Sequence, residues 1–334
     1  MILDMKNRNS VSVLMCMLVV LMMSMPGKAL ASVMQGDVNH DGCVNISDVT
    51  SLIDYLLIGD ASEEVDLALA DINGDGAVTI ADVTSVIDYL LSDNWSTDER
   101  VLVTVNGVTF VMVPVQGGTF TMGATVDEGM YARRNEYPAH KVTLWGYYIS
   151  ESEVTQEQWL AVTNDSTWDY QGDLQRPMVN VSLFDCAKFV DQLTALSGKI
   201  FRMPTEAEWE FAARGGSEGV RYRFSGSDYA DEVAWYSDNS GGSTHPVKTK
   251  MPNSLGIYDM SGNVLEWCQD WYSSYNETPE TNPVGPESGL TNVVRGGAWD
   301  FSYSLCHVTC RNNFDPYTRA DDLGFRIVMN MDRR

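Results

Sequence analysis

The sequence predicts two modules: a small all-α unit built on two cation-binding loops, and a larger α+β domain with few regular elements. Three observations carry this. A ten-residue stretch, Asp48 to Leu57, recurs at Asp82 to Leu91 with one difference, and each copy follows an Asp/Asn/Gly-rich loop. Two apolar runs, 101–105 and 108–112, flank Asn106-Gly107, the preferred two-residue hairpin turn. Farther along, two helices carry their own start signals within loops rich in Gly, Asn, Ser and Trp. The all-α unit spans 36–92, the polar residues 93–100 form a linker, and the larger domain spans 101–331.

The first 31 residues read as an export signal. Lys6 and Arg8 give a basic start, and Val11 to Met25 is apolar but shorter than the ~20 residues of a membrane span. Pro26-Gly27 breaks the run, and Ala29-Leu30-Ala31 is a small-x-small cleavage pattern. The expected location is therefore extracellular, periplasmic or cell-surface, with no membrane span after cleavage. Cys16 leaves with the signal. Cys186, Cys268, Cys306 and Cys310 remain in the larger domain, where an oxidising compartment permits disulfides in any of three full pairings.

The net charge is -24 and the pI about 4.3, a field that repels nucleic acid and anionic membranes. The acid is concentrated. Residues 32–99 hold 15 Asp or Glu and no Lys or Arg. A compact fold there requires bound cations, and the spacing shows where. The first loop reads Asp37-x-Asn39-x-Asp41-Gly42, then Cys43, Asn45 and Asp48. The second reads Asp71-x-Asn73-x-Asp75-Gly76, then Ala77, Thr79 and Asp82. Calcium takes six to eight hard oxygens. Positions 1, 3 and 5 supply side chains, the glycine makes the sharp turn, and position 7 offers a carbonyl, from Cys43 and Ala77. Asp48 and Asp82 close the loops at position 12. After each loop, Val49, Leu52, Ile53 and Leu56, and likewise Val83, Val86, Ile87 and Leu90, fall at helical spacing. This duplicated loop-helix resembles a dockerin. The resemblance implies docking onto a cohesin domain through the helix surfaces, and folding that depends on calcium.

In the larger domain, Ser182 with Asp185 caps a helix running to about Leu196 and stopped by Gly198. Thr205-Glu-Ala-Glu208 is a capping box for a second helix, ended by Gly215-Gly216. A series of stretches then carries a resemblance. They are Val113-Pro-Val-Gln-Gly-Gly-Thr-Phe-Thr-Met-Gly123, Ser152-Glu-Val-Thr155, the Phe201 to Gly216 segment, Leu255-Gly-Ile-Tyr-Asp-Met-Ser-Gly-Asn-Val-Leu-Glu-Trp267, Arg295-Gly-Gly-Ala-Trp299 and Leu323-Gly-Phe-Arg326. Together they resemble the formylglycine-generating enzyme (sulfatase-modifying factor) family across nearly all of 108–329. The resemblance implies a C-type-lectin-like fold.

Active members of that family hold copper on two cysteines five apart and oxidise a substrate cysteine to formylglycine. Soft thiolates suit Cu(I). Carried across, the second cysteine is Cys306, but the first falls on Phe301. The histidine after it is Ser302, the small hydroxyl residue before the tryptophan is Ala298, and Leu265 replaces an aromatic. Were Cys306 to Cys310 extended, their side chains would lie ~13 Å apart, too far for Cys310 to serve as the missing ligand. The copper site is therefore expected to be absent, and Cys306 would be catalytic only in the alternative reading, a copper-dependent oxidase with a rearranged site. A sulfoxide-forming relative uses three histidines on iron. His140, His245 and His307 are scattered here and read as surface or loop residues. The resemblance also implies a calcium ion held by Asp259, Glu266 and the carbonyls of Gly262 and Val264, and a disulfide between Cys268 and Cys306. The leading expectation is a secreted ligand-binding or structural module tethered to a cohesin-bearing, polysaccharide-handling assembly. Its ligand would be a glycan or peptide, with Trp235, Trp267, Trp271 and Trp299 either lining the pocket or packing in the core.

Overall fold

The computed structural model describes residues 28–29, 36–39, 43–58, 67–72, 77–92, 100–125, 131–168, 172–217 and 219–331. The chain divides into two compact units between Asp98 and Glu99. The expected export signal lies outside the described residues apart from Lys28–Ala29, as do Asp41, Asn73 and Asp75. Among the described residues no helix is long and apolar enough to cross a membrane.

In the small unit, β1 (Lys28–Ala29) pairs with β2 (Cys43–Val44), and helices α1 (Ile46–Ile58) and α3 (Ile80–Ser92) follow the two loops. A short α2 (Leu67–Ala70), not foreseen from the sequence, precedes the second loop. The predicted helix faces meet: Val49, Leu52, Val83 and Val86 are buried together with Val38, Val44 and Leu69.

The larger unit opens with the predicted hairpin, β3 (Val101–Val105) and β4 (Val108–Val115), turned by Asn106 and Gly107 at positive φ. β4 continues against β7 (Tyr147–Ser150). The C-terminal strand β14 (Val328–Asn330) lies between β7 and β8 (Phe201–Arg202), completing a five-stranded sheet. A second sheet orders β12 (Arg311–Phe314), β11 (Asn292–Arg295), β9 (Leu265–Trp271) and β13 (Leu323–Gly324). A third joins β10 (Glu280–Thr281), β6 (His140–Leu144) and β5 (Gly118–Met122). Helices α4 (Gln156–Thr163), α5 (Leu183–Ser197), α6 (Glu206–Ala213) and α7 (Ala230–Val233) pack among them.

The start signals act as predicted. Ser182 and Asp185 cap α5 reciprocally, and Gly198 ends it at φ +71°. Thr205 and Glu208 do the same for α6. Thr155 and Gln158 cap α4 in the same way, a box the sequence reading passed over although Thr155 sits in a quoted stretch.

Every residue of α6 is buried, including three glutamates. Each meets an arginine from elsewhere in the chain. Glu206 accepts two bonds from Arg311 at 2.7 and 2.6 Å, and Glu208 two from Arg202 at 2.6 Å. Glu210 bonds Arg295 at 2.6 Å and Arg214 at 2.9 Å. Asp270 on β9 accepts the Glu206 amide at 2.9 Å, at the helix start. Burial, and then the Glu206 charge, push its carboxyl up to about 8.

Two outcomes are expected. Glu210→Ala leaves the Arg295 guanidinium buried without its main carboxylate and should cost about 3–5 kcal/mol in urea unfolding; a loss below about 1 kcal/mol, typical of an exposed pair, would contradict this reading. Asp270 holds a proton in the folded chain that the unfolded chain releases near its ordinary carboxyl value. Its contribution is therefore complete at low pH and is lost as pH rises toward about 8, with a limiting slope of about 1.4 kcal/mol per pH unit. Asp270→Asn should flatten the fall in stability between pH 5 and 8; a fall as steep as the parent's would remove Asp270 as its source.

Candidate functional site

In the small unit the two position-12 carboxylates do the same work. Asp48 Oδ1 accepts the amide of Val38 at 2.9 Å and Oδ2 that of Asn45 at 2.8 Å. Asp82 Oδ1 accepts the amide of Ile72 and Oδ2 that of Thr79, both at 2.8 Å. Each fully buried aspartate thus ties the start of its loop to the helix entrance. Asp37 is buried beside the first. Asn45 and Thr79 also accept amide bonds, from Ser47 at 2.7 Å and Ala81 at 3.2 Å. The donor set is all oxygen in a segment without a basic residue, which fits calcium.

In the larger unit, residues 259–266 form a tight turn with Asp259, Gly262 and Asn263 at positive φ. A side chain at Gly262 would strike the Trp235 carbonyl, so the backbones close directly on each other. Asp259 Oδ2 accepts the Lys248 amide at 2.8 Å. Glu266 closes on Arg326 at 2.5 and 2.7 Å and accepts the Trp209 indole N–H at 2.6 Å. Its Oε2 takes two of these bonds and its Oε1 one, so Oε1 keeps an acceptor position.

Glu153, from the quoted Ser152 to Thr155 stretch but given no role from sequence, reaches the same turn. It accepts the Asn263 side-chain amide at 2.8 Å and the Val264 amide at 3.2 Å. Burial, then Asp259 and Glu266, push its carboxyl well above the usual range, and burial raises Asp259 to about 6. Hard oxygens with this excess of negative charge fit a calcium ion.

Cys306 is fully buried at the end of the helical turn Tyr303–Leu305. Its Sγ lies so close to Gly297 that an added Cβ would come within 2.7 Å. Cys306 belongs to an apolar cluster with Phe224, Val233 and Tyr236, and Phe301 packs against that cluster. Burial and neighbouring Cys310 push that thiol far above its usual range.

Three sequence expectations are corrected. The 306–310 segment is a turn, with the Cys310 amide bonded to the His307 carbonyl at 2.9 Å, so the extended-strand distance does not apply. Cys268 and Cys306 form no disulfide: all four cysteines of the domain are free, and these two sit in different apolar clusters. His140 is buried on β6, whereas His307 is a loop residue as expected but a buried one. His245 stacks on Trp235 at 3.7 Å.

A cleft of about 440 Å³ is lined by Asp165, Thr167, Trp168, Asn180 and Arg319 among others. Trp168 stands edge-on to Trp159 at 5.4 Å, with the Arg319 guanidinium 5.9 Å from its ring centre. None of the four tryptophans singled out from sequence lines it. Trp267 is core, and Trp299 bonds the Asp321 carbonyl. Short segments around Trp168 gave no periodic signal that could have marked it.

Comparison with known proteins bears on both units. Residues 104–331 match the sulfatase-modifying factor enzyme 1-like domain, and residues 35–91 the dockerin type I domain. Chaperone protein LppX of Paenibacillus barcinonensis is 30% identical over 267 residues, 65% of this chain and 88% of its own. Formylglycine-generating enzyme of Streptomyces coelicolor is 30% identical over 288 residues, 66% of this chain and 89% of its own. Treponema denticola variable protein 1 superposes with a TM-score of 0.64 at 31% identity, covering 70% of this chain and all of that one. The larger unit has the C-type-lectin-like fold of these relatives.

Asp48→Ala and Asp82→Ala should each lower the calcium stoichiometry of the full chain by one. Each removes the carboxylate that closes its loop. Calorimetry that still counts the parent's number of ions in either variant would rule out this role.

Proposed function

We propose that this chain, which belongs to the sulfatase-modifying factor family and carries a type I dockerin domain, is an exported ligand-binding or structural module rather than a copper oxidase. The observation that carries this is Phe301. It stands where the family's first copper thiol is expected and packs against the apolar cluster that holds Cys306. A two-thiol Cu(I) site needs both sulfurs. Cys310 does not stand at the Phe301 position, and its thiol groups with Glu136 and His307. The residues present therefore do not fit the family's copper, and no oxidative step is derived through it.

The calcium loops would order α1 and α3, whose outer faces would dock on a cohesin domain and tether the chain to an assembly that handles polysaccharide. A calcium ion on the Asp259 and Glu266 side chains and the Gly262 and Val264 carbonyls would neutralise the buried acids at that turn. The Trp168 cleft suits a glycan or peptide. It offers one aromatic face, the side chains of Asp165, Thr167 and Asn180 for hydrogen bonding, and one guanidinium.

Turnover tests this reading. Copper-loaded protein, oxygen, a reductant and a Cys-x-Pro-x-Arg peptide should give no aldehyde by mass spectrometry above a Cys306→Ala control. Aldehyde above that control would restore the oxidase and overturn the proposal.

A further inference from the structure

One buried cluster has no place in the function above. Glu136, His307 and Cys310 each present a ligand atom, and the three atoms lie within 4.8 Å of one another. They come from two distant segments: the helical turn Arg134–Glu136 and the 306–310 turn. Their exposures are 0, 4 and 3%, so this is an enclosed site and not a chance grouping of surface side chains.

The surroundings orient each ligand inward. His307 Nδ1 lies 2.8 Å from the Ser304 carbonyl. A carbonyl only accepts, so Nδ1 carries hydrogen, and in the neutral ring Nε2 is left with its lone pair. That nitrogen faces Glu136 Oε2 at 2.9 Å. A lone pair and a carboxylate repel, so the contact requires a proton held between Nε2 and Oε2, or a metal in its place. Imidazole pinned through its other nitrogen to a carbonyl is the usual support of a metal-bound histidine. The carboxylate is held too. Glu136 Oε1 accepts the Arg133 amide at 3.0 Å, and Oε2 accepts the Thr309 hydroxyl at 2.7 Å.

We propose that Glu136, His307 and Cys310 form a zinc-type metal site, binding one borderline divalent cation through carboxylate oxygen, Nε2 and thiolate. The ligand set is one that zinc accepts, and three protein ligands leave a fourth position for water or a further group. Charge balances: a carboxylate, a thiolate and a neutral imidazole around a dication sum to zero, which suits an enclosed site. The exchange balances as well. The entering cation displaces the one proton held between His307 Nε2 and Glu136 Oε2 and one from the Cys310 thiol, both released to solvent. Neither Cys306 nor the Phe301 position takes part, so this site is separate from the family's copper pair.

Cobalt reads the site directly. Full-length protein, stripped of transition metals and saturated with calcium so that the all-oxygen sites are filled, is titrated with Co²⁺ and then with Zn²⁺. One equivalent of Co²⁺ should give a thiolate-to-cobalt charge-transfer band and the visible bands of a tetrahedral ion, and zinc should bleach both. Cys310→Ser should abolish the charge-transfer band. His307→Gln should weaken binding at least tenfold, and Thr309→Val, which frees the carboxylate, by roughly tenfold. Cys306→Ser and Cys268→Ser should leave the spectrum intact. Parent protein without a thiolate band, a judgement that needs no variant, would overturn the proposal. So would a band that survives Cys310→Ser or vanishes in Cys306→Ser.

Discussion

The larger unit depends on a helix that water cannot reach. An eight-residue helix with three glutamates would ordinarily lie on a surface. In α6 all eight residues are buried, and Arg202, Arg214, Arg295 and Arg311 meet the three carboxylates. Taking that many charges from water is costly, and mutual attraction offsets it only when every pair is well formed. The helix is therefore a point where β8, β11 and β12 must each arrive in register. Arg326 with Glu266 repeats the device between β9 and the segment before β14. Such pairs select one arrangement more than they add stability, since a slipped strand strands a guanidinium in the core.

The same constraint shapes the surfaces where chemistry could occur. Arg295 anchors the stretch whose next glycines bring the backbone against Cys306, and Glu266 closes the turn that Glu153 reaches. The scaffold of the family is thus retained where it is structural. The departure lies at Phe301, where the family pattern has a cysteine. Phe301 supplies carbon there, and it joins an apolar cluster instead of leaving a hole.

How much of this the sequence displayed depends on range. The dockerin domain was legible because each loop pattern lies within one twelve-residue window and the design occurs twice. The hairpin and two of the helix caps were legible for the same reason: Asn106-Gly107, Ser182 with Asp185, and Thr205 with Glu208 are local devices. The partners of the α6 glutamates were not, since Glu210 and Arg295 stand 85 positions apart and nothing in either neighbourhood names the other. The 306–310 segment misled for a different reason. Its turn comes from tertiary contacts, such as the Val308 amide on the Arg223 carbonyl, and not from any local helix or turn signal. Cys268 and Cys306 are free thiols in different apolar clusters, a separation that no local signal displays.

The position of β14 sets an order of events. It is the last strand of the chain, yet it lies inside the five-stranded sheet, bonded to β7 on one side and β8 on the other. Until residue 330 is available, β7 and β8 have no partner between them, and the apolar layer beneath cannot close. This sheet is therefore complete only when segments from both ends of the larger unit have met. Releasing β14 requires breaking its pairings with both β7 and β8.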